Sequence, residues 1–221
     1  MTNKNPDIFD ANAMKVVMRL LDTQKNERIL CDTMRWIQKA CLLHERNRQL
    51  IVNEDILVKH LKPLLERDEP LIVKNICTCF RFFILDDDVR CEFGKAHDHA
   101  RAIAQECLVE LTQLQIKFKN SPEVLAELML TIASLAVRNE FCQAVAEAGG
   151  LTSIMDSMVE FHDDIKIIRE SFKLLKALAG NDTVKTDIIK SNLIFNPSNF
   201  CLNLKFSRRS CVNHRKFVEP S

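Results

Sequence analysis

Leu30, Met34, Ile37 and Cys41 recur at i, i+4, i+7 and i+11, a spacing that keeps all four on one side of a helix. The spacing returns in Ile168, Phe172, Leu175 and Ala179, with close variants in Ile76, Cys79 and Phe83 and in Leu125, Leu128, Ile132 and Leu135. Four long amphipathic helices are predicted. Shorter stretches of the same period lie between them. Asn47–Asn53 predicts a short helix followed by a middle one over Ile56–Leu65, and a short helix ending near Ala148 precedes a middle one over Leu151–Phe161. Ala13–Leu21 reads as the middle helix of a partial first unit. Ser121-Pro122-Glu123 predicts a helix start, because Ser caps free amides, Pro suits the first turn and Glu favours the positive dipole end. Gly149-Gly150 predicts a left-handed break, and Gly180-Asn181-Asp182 a stop to the last long helix.

Asn47–Leu57, Val89–His99, Phe141–Leu151 and Val184–Ile194 can be laid over one another; they start at residues 47, 89, 141 and 184, so the intervals are 42, 52 and 43. A period in the low forties with helices between the copies predicts an all-α solenoid of three-helix units. The long interval carries ten more residues than its neighbour. They fall in His99–Lys119, which lacks Gly and Pro and is predicted as one helix lengthened by roughly 15 Å, overhanging the body as a partner contact. The solenoid is expected over residues 1–195. Beyond it Phe200, Leu202, Leu204 and Phe206 alternate with Cys201, Asn203 and Lys205 at strand spacing, which finds no pairing partner in a helical body. Residues 196–221 are therefore expected to be a poorly ordered, non-repeat end, as in a truncated or alternatively spliced product. The last long helix would then keep an uncovered apolar side prone to self-association.

Composition supports helix and narrows the partners. The 221 residues include 47% apolar side chains, only 4 Gly and 6 Pro, and no Tyr. The net charge of +1 is uneven: Lys205, Arg208, Arg209, Arg215 and Lys216 against Glu219 leave the tail at +4 and residues 1–195 at −3. A mildly acidic body argues against a nucleic-acid surface. The start lacks the basic end and apolar run of a secretory signal, and no apolar run is long enough to span a bilayer. Nine Cys scattered through helix patterns fit reduced thiols in the cytoplasm or nucleus.

LAVRNEFCQAVAEAGGLTSIM (Leu135–Met155) and KLLKALAGNDTVKTDII (Lys173–Ile189) resemble the phrasing of the armadillo-repeat family, and the resemblance extends over roughly Ile8–Ile194. It implies a right-handed superhelix of three-helix units whose long helices form a concave groove for partner segments. In the import receptors of that family a Trp and, four residues later, an Asn line the groove on successive long helices. The matching positions here are Trp36, Thr78, Leu130 and Lys173, then Ala40, Phe82, Ser134 and Ala177. No Asn ladder is present, which argues against that mode of peptide capture. Trp36, Lys39, Thr78, Phe82, Leu130, Ser134, Lys173 and Ala177 are the candidate partner-binding residues.

Candidate chemistry is sparse. Cys91, His97, His99 and Cys107 are the best metal-like set, but two His two apart point to different faces of a helix, and His99 is expected to be solvated. Cys77 and Cys79, one residue apart, are expected in a core helix. Cys41 and His44 share a face, yet no Gly-rich turn stands near to stabilise an anion. Asp86-Asp87-Asp88 lacks the alternation of a calcium loop and is expected to be a solvated connector. Trp36 is expected in the core, with a partner anchor as the alternative. No cofactor, metal or catalytic residue is expected. Three functions compete: a non-catalytic interaction scaffold first, then an enzyme with a Cys or His site, then a transport or signalling adaptor recognising charged peptides. Removing residues 196–221 should leave the helical circular-dichroism signal undiminished; a clear loss would show that the tail packs as a cap.

Overall fold

The computed structural model describes residues 11–53, 57–92 and 94–191. The strand-spaced segment and basic tail expected at 196–221 lie outside the described residues, within which all regular structure is helical. In chain order the helices are α1 (Ala11–Thr23), α2 (Glu27–Cys41) and α3 (Glu45–Asn53). A π-helical turn (Leu57–Leu61) runs into α4 (Lys62–Leu65), and α5 (Pro70–Phe83), α6 (Ala96–Lys117) and α7 (Pro122–Leu135) follow. The series ends with α8 (Asn139–Glu147), α9 (Gly150–Glu160), α10 (Ile165–Leu178) and α11 (Asp182–Lys190).

The four long stripes become α2, α5, α7 and α10, and each packs along the next. Buried polar contacts tie each to its neighbour. The Gln38 amide donates to the Asn75 carbonyl (3.2 Å), the Thr131 hydroxyl to the Cys77 carbonyl (3.4 Å), and the Ser171 hydroxyl to the Met129 sulfur (3.4 Å). Lys74 meets Glu123 near the starts of α5 and α7, whereas Arg81 meets Glu127 further along both, so these helices run parallel. The remaining helices form a second layer, α6 against α7, α8 and α9, and α9 against α10. One continuous core runs from Met14 to Ile188, with Leu30, Ile76, Leu128 and Leu174 fully buried on the successive long helices.

Capping differs from expectation in detail. Ser121 makes no side-chain cap; its carbonyl accepts the Val124 and Leu125 amides instead (3.1 and 2.9 Å). Side-chain caps come from Asn26, Asp164 and Asn181, each accepting two amides of the helix it opens. Asn181 thus begins α11 as well as following α10. The glycine pair serves two purposes. Gly149 takes φ +85°, and a Cβ on Gly150 would lie 2.6 Å from Val145 Cγ1 and 2.9 Å from Thr112 Cγ2.

The second unit departs most from the repeat. No helix forms over the described residues between α5 and α6, where Val89–His99 predicts a short one. In its place α6 begins early and runs for 22 residues against 11 in α9. It is not an overhang, because Ala100, Ile103, Ala104 and Cys107 in its first half are buried and it packs against α3, α4 and α5. His99 is buried rather than solvated, its Nδ1 2.9 Å from the Phe83 carbonyl, because the earlier start of α6 places it in the first turn, against the end of α5.

The Asp run that precedes α6 is not a solvated connector either. Asp88 accepts the Glu45 amide (2.9 Å) at the first turn of α3, and Asp87 accepts the Leu43 amide (3.2 Å) and Arg48 Nη1 (2.6 Å). Arg48, fully buried, also donates to Glu45 (3.0 Å) and to the Cys41 carbonyl (2.8 Å). Arg90 closes the clasp on Asp88 (2.8 Å) and the Leu43 carbonyl (2.6 Å). Hydrogen bonds from Arg90, and then the Glu45 amide, hold the Asp88 carboxyl well below the usual range in spite of its burial. Burial pushes Glu45 up, but bonds from Gln49, the Lys95 amide and Arg48 outweigh it and leave a net lowering.

Arg48→Ala should cost about 3–5 kcal/mol in urea unfolding, because it leaves buried Glu45 without its cation. Both carboxyls are lowered in the fold from ordinary values of 3.8 and 4.5. Their contribution is therefore complete above about pH 5 and is lost as the pH falls below about 4. Arg90→Ala, which removes the leading cause of the Asp88 lowering, should flatten that acid limb; an unchanged limb in the variant would remove the clasp from the account.

Candidate functional site

Because α2, α5, α7 and α10 run side by side in one layer, their outward residues form rows. Trp36, Thr78, Leu130 and Lys173 make one row, and Phe82, Ser134 and Ala177 make most of a second, with Lys39 at the α2 edge. None of the eight is buried. Trp36 is 45% exposed, which places it outside the core that was its first expectation. It borders an open apolar depression of about 530 Å³ between α1 and α2, walled by Val16, Leu20 and Ile29. Thr78 and Ser134 donate their hydroxyl protons to carbonyls one turn back (2.9 and 2.8 Å), and Thr78 accepts Arg81 Nη2 at 3.3 Å.

Sequence reasoning missed the ionic lattice that crosses this layer. Arg81 of α5 reaches Glu127 of α7 (2.5 Å) and the Thr131 hydroxyl (2.6 Å). Lys166 of α10 takes the other oxygen of Glu127 (2.9 Å), and Lys74 meets Glu123 (2.9 Å). Glu170, 1% exposed, holds Arg169 (2.8 Å) and Lys173 (2.9 Å). Burial raises the Glu127 and Glu170 carboxyls, but hydrogen bonds from Lys166 and Lys173 and the charges around them dominate and lower both. The signal was present in the sequence: Glu127 and Glu170 lie 43 residues apart, one repeat period, at matching positions of two long helices.

The thiol candidates are set apart rather than brought together. Cys91 and His97 are exposed, whereas Cys107 and His99 are buried. Burial pushes Cys77, Cys79 and Cys107 up to about 12 and Cys41 higher still, so none is a thiolate near neutral pH. His44 Nδ1 stands 2.5 Å from Arg90 Nη2, which engages one of its two ring nitrogens in the clasp. Among the described residues no group of three or more His, Cys, Asp or Glu is arranged to hold a metal ion, and no helix is long and apolar enough to cross a membrane.

With this layered geometry in place, the chain can be compared with known proteins. A family model described as ARMC6 matches residues 1–195. The chain belongs to the ARMC6 family of armadillo-repeat proteins. Within it, the chain is similar to the armadillo repeat-containing protein 6 homolog of Drosophila melanogaster, 47% identical over 194 residues, covering 87% of this chain and 41% of that protein. The armadillo repeat-containing protein 6 of Homo sapiens and that of Pongo abelii are each 32% identical over 206 residues, covering 86% of this chain and 40% of theirs. The chain spans about two-fifths of the length of these curated family members. The ARMC6 match ends where the repeat pattern stops and the basic tail begins.

Thiol modification checks the burial directly. A neutral-pH maleimide pulse on the native protein, mapped by peptide mass, should label Cys91 and leave Cys41, Cys77, Cys79 and Cys107 unlabelled until denaturant is added. Labelling of native Cys41 at a rate comparable to Cys91 would reopen the nucleophile reading.

Proposed function

We propose that this chain is a non-catalytic scaffold that holds segments of partner proteins along the outward face of α2, α5, α7 and α10. The observation that carries this reading is the continuity of that face. Neighbouring long helices present exposed Trp36 and half-buried Phe82 and Leu130 beside exposed charges, the mixture that anchors and orients a bound chain. Of the pair an enzyme reading would use, Cys41 is buried with its thiol pushed up and His44 is engaged by Arg90. The family membership is in accord with a binding role, and buried reduced thiols suit the cytoplasm and nucleus. An adaptor of the import-receptor type has less support, because Ala40, Phe82, Ser134 and Ala177 offer no side-chain amides to a peptide backbone. Ile165, Phe172 and Ile189 leave apolar surface on α10 and α11 that favours self-association at high concentration.

Affinity capture from cells with the full chain as bait, compared with Trp36→Ala/Phe82→Ala, tests the face. Recovery of the main partner should fall about tenfold or more, as for an interface hot spot, while far-ultraviolet circular dichroism stays close to that of the parent; the exposed Trp36→Ala alone controls for the packing Phe82 makes against the core. Undiminished recovery by the double variant, with loss instead on substitution of the exposed Val109 or Glu140 in the other layer, would move the site elsewhere.

A further inference from the structure

Charge on the proposed face is not balanced. The helices α2, α5, α7 and α10 together carry nine Lys and Arg against five Asp and Glu, although residues 1–195 as a whole are net negative. The excess is concentrated on α10. Lys166, Arg169, Lys173 and Lys176 are spaced by three, four and three residues, so at 3.6 residues per turn they fall within about a quarter of the helix circumference. All four are exposed, and Lys166 turns toward α7, where it meets Glu127.

The row continues across the layer. Parallel packing places Lys39 of α2 and Arg81 of α5 at positions matching Lys176 of α10, with Ala133 of α7 between. Each carboxylate inside the array is outnumbered: Glu127 is shared by Arg81 and Lys166, and Glu170 by Arg169 and Lys173. Both clusters keep one uncompensated positive charge, and the lowered Glu127 and Glu170 carboxyls keep them ionised as part of a fixed lattice. Lys39 and Lys176 meet no carboxylate among the described residues.

We infer that the occupant of this face is an acidic, extended protein segment, its carboxylates on Lys173, Lys176 and Lys39 and its apolar side chains on Phe82 and Trp36. The inference rests on the scaffold reading and adds the chemistry of the partner. Four helices at about 9–10 Å spacing span roughly 30 Å, the length of about nine extended residues. A carboxylate that reaches Lys173 meets a cation already oriented by Glu170, so less side-chain order is lost there on binding. A protein segment fits better than a nucleic acid, because a continuous phosphate chain would run over Glu123, Glu127 and Glu170, whereas a peptide can interleave apolar residues there.

The test uses the full chain and a fluorescein-labelled peptide of about twelve residues in which Glu and Asp alternate with Leu and Phe. Its Lys-substituted counterpart and an oligothymidylate of equal charge serve as competitors, and binding is read by anisotropy. The acidic peptide should bind about tenfold or more tightly than the Lys peptide, weaken as salt is raised, and lose about tenfold in Lys39→Glu/Lys176→Glu. That variant alters exposed positions only, so its melting temperature serves as the folding control. Equal or tighter binding of the Lys peptide, indifference to the charge reversal, or displacement by the oligonucleotide at lower concentration would each overturn the inference. If Trp36→Ala/Phe82→Ala still loses the cellular partner while the acidic peptide fails, the scaffold reading stands and only the partner chemistry is wrong.

Discussion

A helix with one apolar stripe cannot hold itself in water, and the mutual burial of four such stripes is the constraint on which this molecule depends. Fixing each backbone residue costs about 1–2 kcal/mol, and burying an apolar side chain returns about 1.5–3 kcal/mol. A stripe that shelters only every third or fourth residue loses that contest alone. Met34 and Ile37, Ile76 and Phe80, Leu128 and Ile132 escape it because each long helix is covered by its neighbour and by a second layer. Parallel alignment of α5, α7 and α10 follows, since Thr131 and Ser171 find their buried partners only near matching heights on the next helix.

The second unit shows that the constraint acts on coverage rather than on a fixed set of helices. A short helix is missing there, yet the core continues because the first half of α6 occupies the space with Ile103, Ala104 and Cys107. The connector that replaced it had to satisfy the amides at the start of α3 by other means. Asp87 and Asp88 do so, and Arg48 ties them to Glu45 from within. A buried guanidinium gains little net stability over an apolar substitute, but its geometry admits one arrangement of α3 against the Asp turn and so fixes the joint between two units.

The fold was legible where apolar period decides the outcome. The stripes of α2, α5 and α7, the short helices near Asn47 and Asn139, and the left-handed break at Gly149 appear close to where the spacing predicts them, whereas α10 buries Ile167, Ser171, Leu174 and Leu178, one residue ahead of the predicted line, and leaves Phe172 exposed. What the sequence did not disclose depended on partners far along the chain. Asp86-Asp87-Asp88 looks like surface until Arg48, Leu43 and Glu45 arrive from the preceding unit. His99 looks solvated until the early start of α6 turns it toward Phe83. Asn181 follows one helix and caps the next, and local pattern alone does not reveal the second role. For the candidate face, the rows of Trp36 and Phe82 were accessible from helix phase, but the pairing of Arg81 and Lys166 on one carboxylate required knowing which helices adjoin.

Parallel packing also explains why a face of modest side chains can act as a site. In an antiparallel bundle, residues at equal positions of successive helices lie at opposite ends, and their charges and apolar groups do not add. Here the same position recurs at the same height, so Lys39, Arg81 and Lys176 reinforce one another and so do Trp36 and Thr78 beside them. Glu127 and Glu170 then play a part unlike that of surface carboxylates. Each is held between two cations, and by fixing Lys166, Arg169 and Lys173 each reduces the conformational freedom those side chains would lose on meeting a partner. Replacing either carboxylate would raise the net positive charge of the face and loosen its cations at once, so charge and order would act on affinity in opposite directions.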